Sequence, residues 1–97
     1  MRATMLMALA TTLVACTTSL GEDCRGAPNG CGGALYCCTD GKCGRGMCTA
    51  GCASDRDCPA DGYCESRMCW RPCASDRDCP EHLRCKPKDG RLMCRGD

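Results

Sequence analysis

Cysteine is the residue type through which this chain can do chemistry, with 15 thiols in 97 positions, far above the level that marks a disulfide scaffold in a short exported protein. Thiols in such number serve as cystine cross-links, metal ligands, redox couples or acceptors of a covalent group. The spacings separate these uses. No C-x2-C pair occurs, and that pair is the signature of both structural zinc sites and dithiol redox motifs. In an oxidising compartment cystines are therefore the expected use, with no metal bound. The count is odd, which leaves one cysteine outside any complete set of pairs.

The other chemistry-bearing side chains are few. His82 is the only histidine; it lies in a polar stretch between Cys79 and Cys85, no Ser or Asp partner can be placed beside it, and it is read as a surface residue. No nucleophile with a base and no carboxylate pair in a cleft is legible, so the chain is not expected to be an enzyme or to hold a dissociable cofactor. Asp55, Asp57 and Asp61, and again Asp76 and Asp78, alternate as in hard-cation loops, but the full ligand set is missing. Ser54 and Ser75 beside them favour side-chain-to-backbone turns, with Arg56 and Arg77 as solvated partners. Arg95-Gly96-Asp97 matches a tripeptide read by animal integrins, and chance supplies so short a motif easily. Trp70, in Cys69-Trp70-Arg71-Pro72-Cys73, either packs a joint or stands exposed as an anchor; an exposed Trp70 flanked by Arg67, Met68 and Arg71 would be the first candidate for a contact patch.

The elements that must position these residues begin with a leader. Residues 1–15 carry one basic residue, Arg2, and then an apolar Ala/Leu/Met/Thr run too short to span a bilayer. The end of the run, Leu13-Val14-Ala15-Cys16, resembles the bacterial lipobox. That resemblance implies a diacylglycerol on the Cys16 sulfur, removal of residues 1–15 and acylation of the new amino terminus, with palmitate-type chains anchoring the protein to a membrane. An ordinary secretory cut after Ala15 would set the bulky Leu13 where a small residue is needed. Assigning Cys16 to a thioether leaves 14 cysteines, which can pair completely. Residues 16–23 are then the lipidated cysteine and a polar tether. Thr17 in place of the Asp that signals inner-membrane retention implies, for this family, the outer membrane of the bacterial cell envelope.

The remaining cysteines fall into blocks. Residues 52–69 and 73–94 are copies of one four-cysteine unit at a period of 21 residues, sharing Cys-Ala-Ser-Asp-Arg-Asp-Cys-Pro and ending in Met68-Cys69 and Met93-Cys94. Four cysteines allow three pairings; the favoured one is first to third and second to fourth, Cys52 to Cys64 and Cys58 to Cys69, then Cys73 to Cys85 and Cys79 to Cys94. Residues 24–48 hold six cysteines as single, single, adjacent pair, single, single. This spacing resembles inhibitor cystine-knot peptides, and the resemblance implies Cys24 to Cys38, Cys31 to Cys43 and Cys37 to Cys48. The same block also reads as a divergent third copy, since Tyr36 precedes Cys37 as Tyr63 precedes Cys64. Residues 24–94 as a whole resemble the Dickkopf amino-terminal cysteine-rich repeats in their C-x-S-D-x-x-C, G-x-Y-C and C-C-x4-C segments.

After Leu20 the chain has only Leu35, Leu83 and Leu92 and no Ile or Val, so apolar burial cannot build a conventional core. Roughly 2–4 kcal/mol per cystine takes its place. The expected fold is small and disulfide-rich, irregular with short β-hairpins, in three tandem modules followed by a tail at residues 95–97. Asn29-Gly30, Asp40-Gly41, Cys58-Pro59, Asp61-Gly62, Cys79-Pro80 and Asp89-Gly90 are its turn signals. Without Arg2, 12 basic side chains balance 12 acidic ones, which implies no nucleic-acid partner. The expected role is a membrane-anchored binding or structural module whose partner is an unspecified protein or envelope ligand. The alternative is a cystine-knot-type inhibitor of a protease or channel.

Overall fold

Among the described residues six strands form three antiparallel hairpins: β1 (Tyr36–Cys38) with β2 (Met47–Thr49), β3 (Tyr63–Glu65) with β4 (Met68–Trp70), and β5 (Arg84–Lys88) with β6 (Arg91–Arg95). The computed structural model describes residues 19–97; the leader 1–15, Cys16 and the start of the tether lie outside the described residues. Among the described residues there is no α-helix, only three-residue 3₁₀ turns at Gly41–Cys43, Asp55–Asp57 and Asp76–Asp78.

The hairpins are built alike. Each sets two cysteines opposite one another, Cys37 and Cys48, Cys64 and Cys69, Cys85 and Cys94. The opposed cysteines do not bond each other. They reach back to the segment that enters the module, giving Cys24–Cys37 and Cys31–Cys48, Cys52–Cys64 and Cys58–Cys69, Cys73–Cys85 and Cys79–Cys94. Backbone bonds fix that entering segment in the same way each time. The amides of Cys48, Cys69 and Cys94 donate to the carbonyls of Glu22, Ala50 and Arg71, each at 3.0 Å. One frame, first to third and second to fourth, is thus used three times.

The first module's use of this frame corrects the knot pairing expected from its spacing. Cys24 bonds Cys37 instead of Cys38, Cys31 bonds Cys48 instead of Cys43, and Cys38 bonds Cys43. The reason is the strand pleat, which sends neighbouring side chains to opposite faces. Cys37 faces the entering segment, as Cys64 and Cys85 do. Cys38 faces inward, 5% exposed, and meets Cys43 five residues on in the 3₁₀ turn Gly41–Cys43.

The core is small and shared between modules. The methionine before each fourth cysteine, Met47, Met68 and Met93, is buried, and so is the residue after it, Thr49, Trp70 and Arg95. Leu83, Cys38 and Cys43 join the methionines and Trp70 in one apolar cluster. Close approach between the first and third modules needs glycine on both sides, at Gly96, where a Cβ would run into the Gly44 backbone, and at Gly44. Gly44 has φ +62°, and a Cβ there would lie 2.8 Å from Cδ2 of both His82 and Leu83. The Gly96 amide completes the contact by donating to the Lys42 carbonyl at 2.8 Å.

Candidate binding surface

Trp70, considered above as an exposed anchor, is fully buried. Its Nε1 donates to the Glu65 carbonyl at 2.9 Å, and the Arg95 guanidinium lies 4.3 Å from the ring centroid. Strand β4 turns this side chain inward because it shares a face with Met68, one strand period away. The indole therefore packs the joint, and its place in a contact patch is withdrawn. Arg71, its expected companion, is half-buried and paired with Glu22 at 3.1 Å.

His82 is not a surface side chain either. Only 6% of it is exposed. Its Nε2 bonds the Gly46 carbonyl at 2.8 Å, so this nitrogen carries the proton, while the buried Nδ1 has no partner. The nearest acid is Asp23 at 3.8 Å. That carboxylate is occupied by Arg25, whose side-chain and backbone N–H groups hold it well below the usual carboxylate range. The imidazole thus links the third module to the first.

The terminal Arg95-Gly96-Asp97 is folded onto the protein. Arg95 is 8% exposed; its Nε and second terminal nitrogen bond Asp97 at 2.9 and 3.2 Å, and its first terminal nitrogen bonds Glu65 at 3.1 Å. Asp97 is held below its ordinary pKa chiefly by the Arg95 hydrogen bonds. Burial pushes Glu65 up, but hydrogen bonds from Ser66 and Arg95 outweigh it and leave the pKa lowered. Lys86, Pro87, Lys88, Arg95 and Asp97 border a shallow recess of about 250 Å³. Across this border the Lys86 ammonium donates to the backbone carbonyl of Asp97.

Four of the five aspartates read as a hard-cation pattern, Asp55, Asp57, Asp76 and Asp78, face N–H donors instead. Asp57 Oδ2 accepts from the amides of Ala53 and Ser54 at 2.8 and 3.1 Å, and Asp78 Oδ2 accepts from Ala74 and Ser75 at 2.7 and 3.1 Å. Asp55 Oδ1 and Asp76 Oδ1 each accept from the third cysteine of their module, Cys64 or Cys85, at 2.8 Å. Their second oxygens face arginines, Arg91 at 2.7 Å from Asp55 and Arg84 at 3.5 Å from Asp76. Each Asp-Arg-Asp loop is thereby locked from inside by its two acids.

What those locked loops leave outward is Arg56 and Arg77, both exposed and neither in an ion pair among the described residues. Sequence reasoning treated these arginines as solvated partners of the neighbouring acids. The geometry separates them, since the acids turn in and the arginines stand out. A signal was present in the chain itself, because both repeats keep Arg at the centre of the shared segment. The other exposed apolar side chains, Tyr36 at 49% and Leu92 at 42%, belong to different hairpins.

In chemical terms the two Asp-Arg-Asp loops offer one outward guanidinium group each; elsewhere on the surface Arg45 and Arg67 are also exposed and without an ion pair among the described residues. Comparison of the chain with protein-family models, with curated proteins and with solved structures finds no match to any of them.

Proposed function

We propose that this protein is an exported binding module of the bacterial cell envelope, anchored through lipid on Cys16, with a contact face built on its two Asp-Arg-Asp loops. The observation that carries the binding reading is the duplicate presentation of Arg56 and Arg77. In the shared octapeptide the cysteines form cystines and the aspartates accept backbone N–H bonds, so those positions have structural duties. The arginine side chains make no hydrogen bond or ion pair among the described residues, yet the octapeptide is identical in two copies whose remaining sequence has diverged. A planar guanidinium suits carboxylates, and a rigid support lowers the entropy lost on contact. The expected partner is an acidic envelope protein. The lipobox-like Leu13-Val14-Ala15-Cys16 supports the anchor, and the odd cysteine count supports it independently. The inhibitor alternative drew on the knot pairing, which the first module does not adopt.

Two measurements test this. Cys16→Ser should move the protein out of the membrane fraction and remove the acyl mass; unchanged membrane retention defeats the anchor. The folded protein should bind poly-glutamate beads in a salt-sensitive way, and Arg56→Ser with Arg77→Ser should abolish retention. Lys86→Ser with Lys88→Ser removes the same charge elsewhere and should weaken it far less. Equal loss from both pairs would show a diffuse charge effect and defeat the loop face.

A further inference from the structure

We infer that each of the two repeats, residues 52–69 and 73–94, is an internal thiol–disulfide exchange unit, in which opening the first-to-third cystine transfers the first cysteine onto the fourth. The sulfurs of the first, second and fourth cysteines lie within 4.8 Å of one another in every module: Cys24, Cys31 and Cys48; Cys52, Cys58 and Cys69; Cys73, Cys79 and Cys94. The first cysteine, bonded to the third, therefore already stands beside the module's other sulfur–sulfur bond. In the second and third modules both partners of the first-to-third cystine are half-buried, Cys52 with Cys64 and Cys73 with Cys85. The second cystine of each ends in a fully buried residue, Cys69 or Cys94. A reductant arriving from water finds two half-buried residues at the first-to-third cystine and one, Cys58 or Cys79, at the second, so the first-to-third cystine is the more open target, because access governs attack on a disulfide.

The electron balance is simple. A phosphine gives two electrons to Cys52–Cys64, the bond breaks, the phosphine takes an oxygen from water, and the water protons leave two thiols. Cys52, deprotonated, then attacks the Cys69 sulfur. The Cys52–Cys69 bond forms as Cys58–Cys69 breaks, and the electron pair departs on Cys58, which takes up a proton. One cystine and two thiols stand before this transfer and one cystine and two thiols after it, so no oxidant is needed.

The direction follows from solvation. Attack on Cys58 would expel a thiolate at Cys69, which is 0% exposed, and burial disfavours the charged form. Attack on Cys69 releases the thiolate at half-exposed Cys58, a better leaving group. By the same argument Cys73 passes to Cys94 and frees Cys79. In each case the thiols are half-exposed residues before the transfer and after it, Cys52 or Cys73 giving way to Cys58 or Cys79 beside Cys64 or Cys85. Reduction at the half-buried first-to-third cystine is passed on to the second cysteine while the buried fourth cysteine stays bonded.

The test uses the oxidised protein and a limiting amount of phosphine at about pH 3, far below the ordinary thiol pKa of about 8.5, so that thiolate attack is suppressed. One portion is trapped with maleimide in acid; another is first raised to about pH 8, where exchange runs. Peptide mapping should find the label on Cys52 and Cys64 in the acid portion and on Cys58 and Cys64 in the raised portion, with a new Cys52–Cys69 peptide. Labels that stay on Cys52 and Cys64, a Cys52–Cys58 cystine, or a cystine between modules would each overturn the inference. Cys64→Ser gives a reductant-free check, since it should carry Cys52–Cys69 and a free Cys58, and a free Cys52 beside intact Cys58–Cys69 would count against it. If that variant does not fold, the acid-to-neutral experiment on the natural protein still decides.

Discussion

The first module and the two repeats share one cystine frame and spend their remaining residues differently. Between the first and second cysteines, the repeats have five residues locked by two aspartates. The first module has Arg25-Gly26-Ala27-Pro28-Asn29-Gly30 there, held by turns in which Ala27 N donates to Cys24 O at 3.2 Å and Gly30 N to Ala27 O at 2.8 Å. The hairpin connections differ in the opposite sense. The repeats turn in two residues, Ser66-Arg67 and Asp89-Gly90, all at positive φ. The first module runs from Cys38 to Met47 through a 3₁₀ turn stapled by Cys38–Cys43. The third module docks on that longer connection, through His82 on the Gly46 carbonyl and the Gly96 amide on the Lys42 carbonyl. The frame sets the pairing, and the extra cystine supports the joint between modules.

The largest effect should come from the residue that makes the three units one. Trp70→Ala removes a fully buried indole and should lower stability by about 3–5 kcal/mol, read by denaturant unfolding with the cystines intact. The loss should reach the first module too, because the Thr49 hydroxyl donates to the Cys69 carbonyl at 2.7 Å beside the indole. Unchanged amide protection in the first module would mean that the units are independent, and the contrast drawn above would reduce to three beads on a chain.

Removing one cystine of each kind sharpens the division of labour. Cys31→Ala with Cys48→Ala opens a link spanning 17 residues, whereas Cys38→Ala with Cys43→Ala opens one spanning 5. Chain entropy alone gives about 3 kcal/mol for the first and about 2 for the second. The patterns should differ more than the totals. The first variant unravels the 24–48 unit, and the second frees the Gly96 amide and the His82 ring while the frame holds. Loss of both contacts in the first variant only would assign the joint to the frame.

A smaller effect isolates the contact itself. Gly44→Ala puts a methyl group at positive φ against His82 and Leu83, at a cost of about 1–3 kcal/mol. Gly90→Ala, at φ +83° with nothing within 4 Å, carries only the backbone cost of about 1 kcal/mol. Equal losses in thermal unfolding would show that conformation, and not docking, selects glycine at residue 44.

Much of the frame was legible because its information is local. The four-cysteine repeat and the Asp89-Gly90 turn are read from adjacent positions and the scarcity of Leu, Ile and Val from composition, and the cystines of the two repeats follow first to third and second to fourth as favoured from the sequence. The first module resisted because Cys37 and Cys38 are equivalent in spacing. Only the pleat, and the position of Cys43 under the hairpin, decides which of them faces the entering segment. Ser66-Arg67 escaped notice as a hairpin turn, since neither residue is the Asn or Gly that positive φ favours. His82, read as a surface residue, and Trp70, open between joint and anchor, resisted for a different reason. Their burial is created by contacts between modules, which no within-module pattern records. Arg56 and Arg77 were visible as a repeated pair, but their separation from the flanking acids depends on where the carboxylates point.

The mildest test is titration with acid, and it separates the repeats from the first module without unfolding either. Asp55 is held below the ordinary carboxylate range by the Cys64 amide and then by Arg91, and Asp78 by the amides of Ala74 and Ser75. Because the folded-state value lies under the unfolded one, the stabilisation is complete above the ordinary Asp pKa of about 3.9 and is lost as pH falls through the lower folded value. The Cys64, Ala74 and Ser75 amides should therefore lose hydrogen-exchange protection in that acidic window. The Ala27 and Gly30 amides donate to backbone carbonyls, which do not titrate, and should keep theirs. Asp23 is also depressed, yet its donors are the side chain and backbone of Arg25, so protonating it frees one arginine and opens no loop. Uniform loss across all five amides would mean that acid acts on the whole fold, and the aspartates would then no longer explain why the two repeats hold their arginines out.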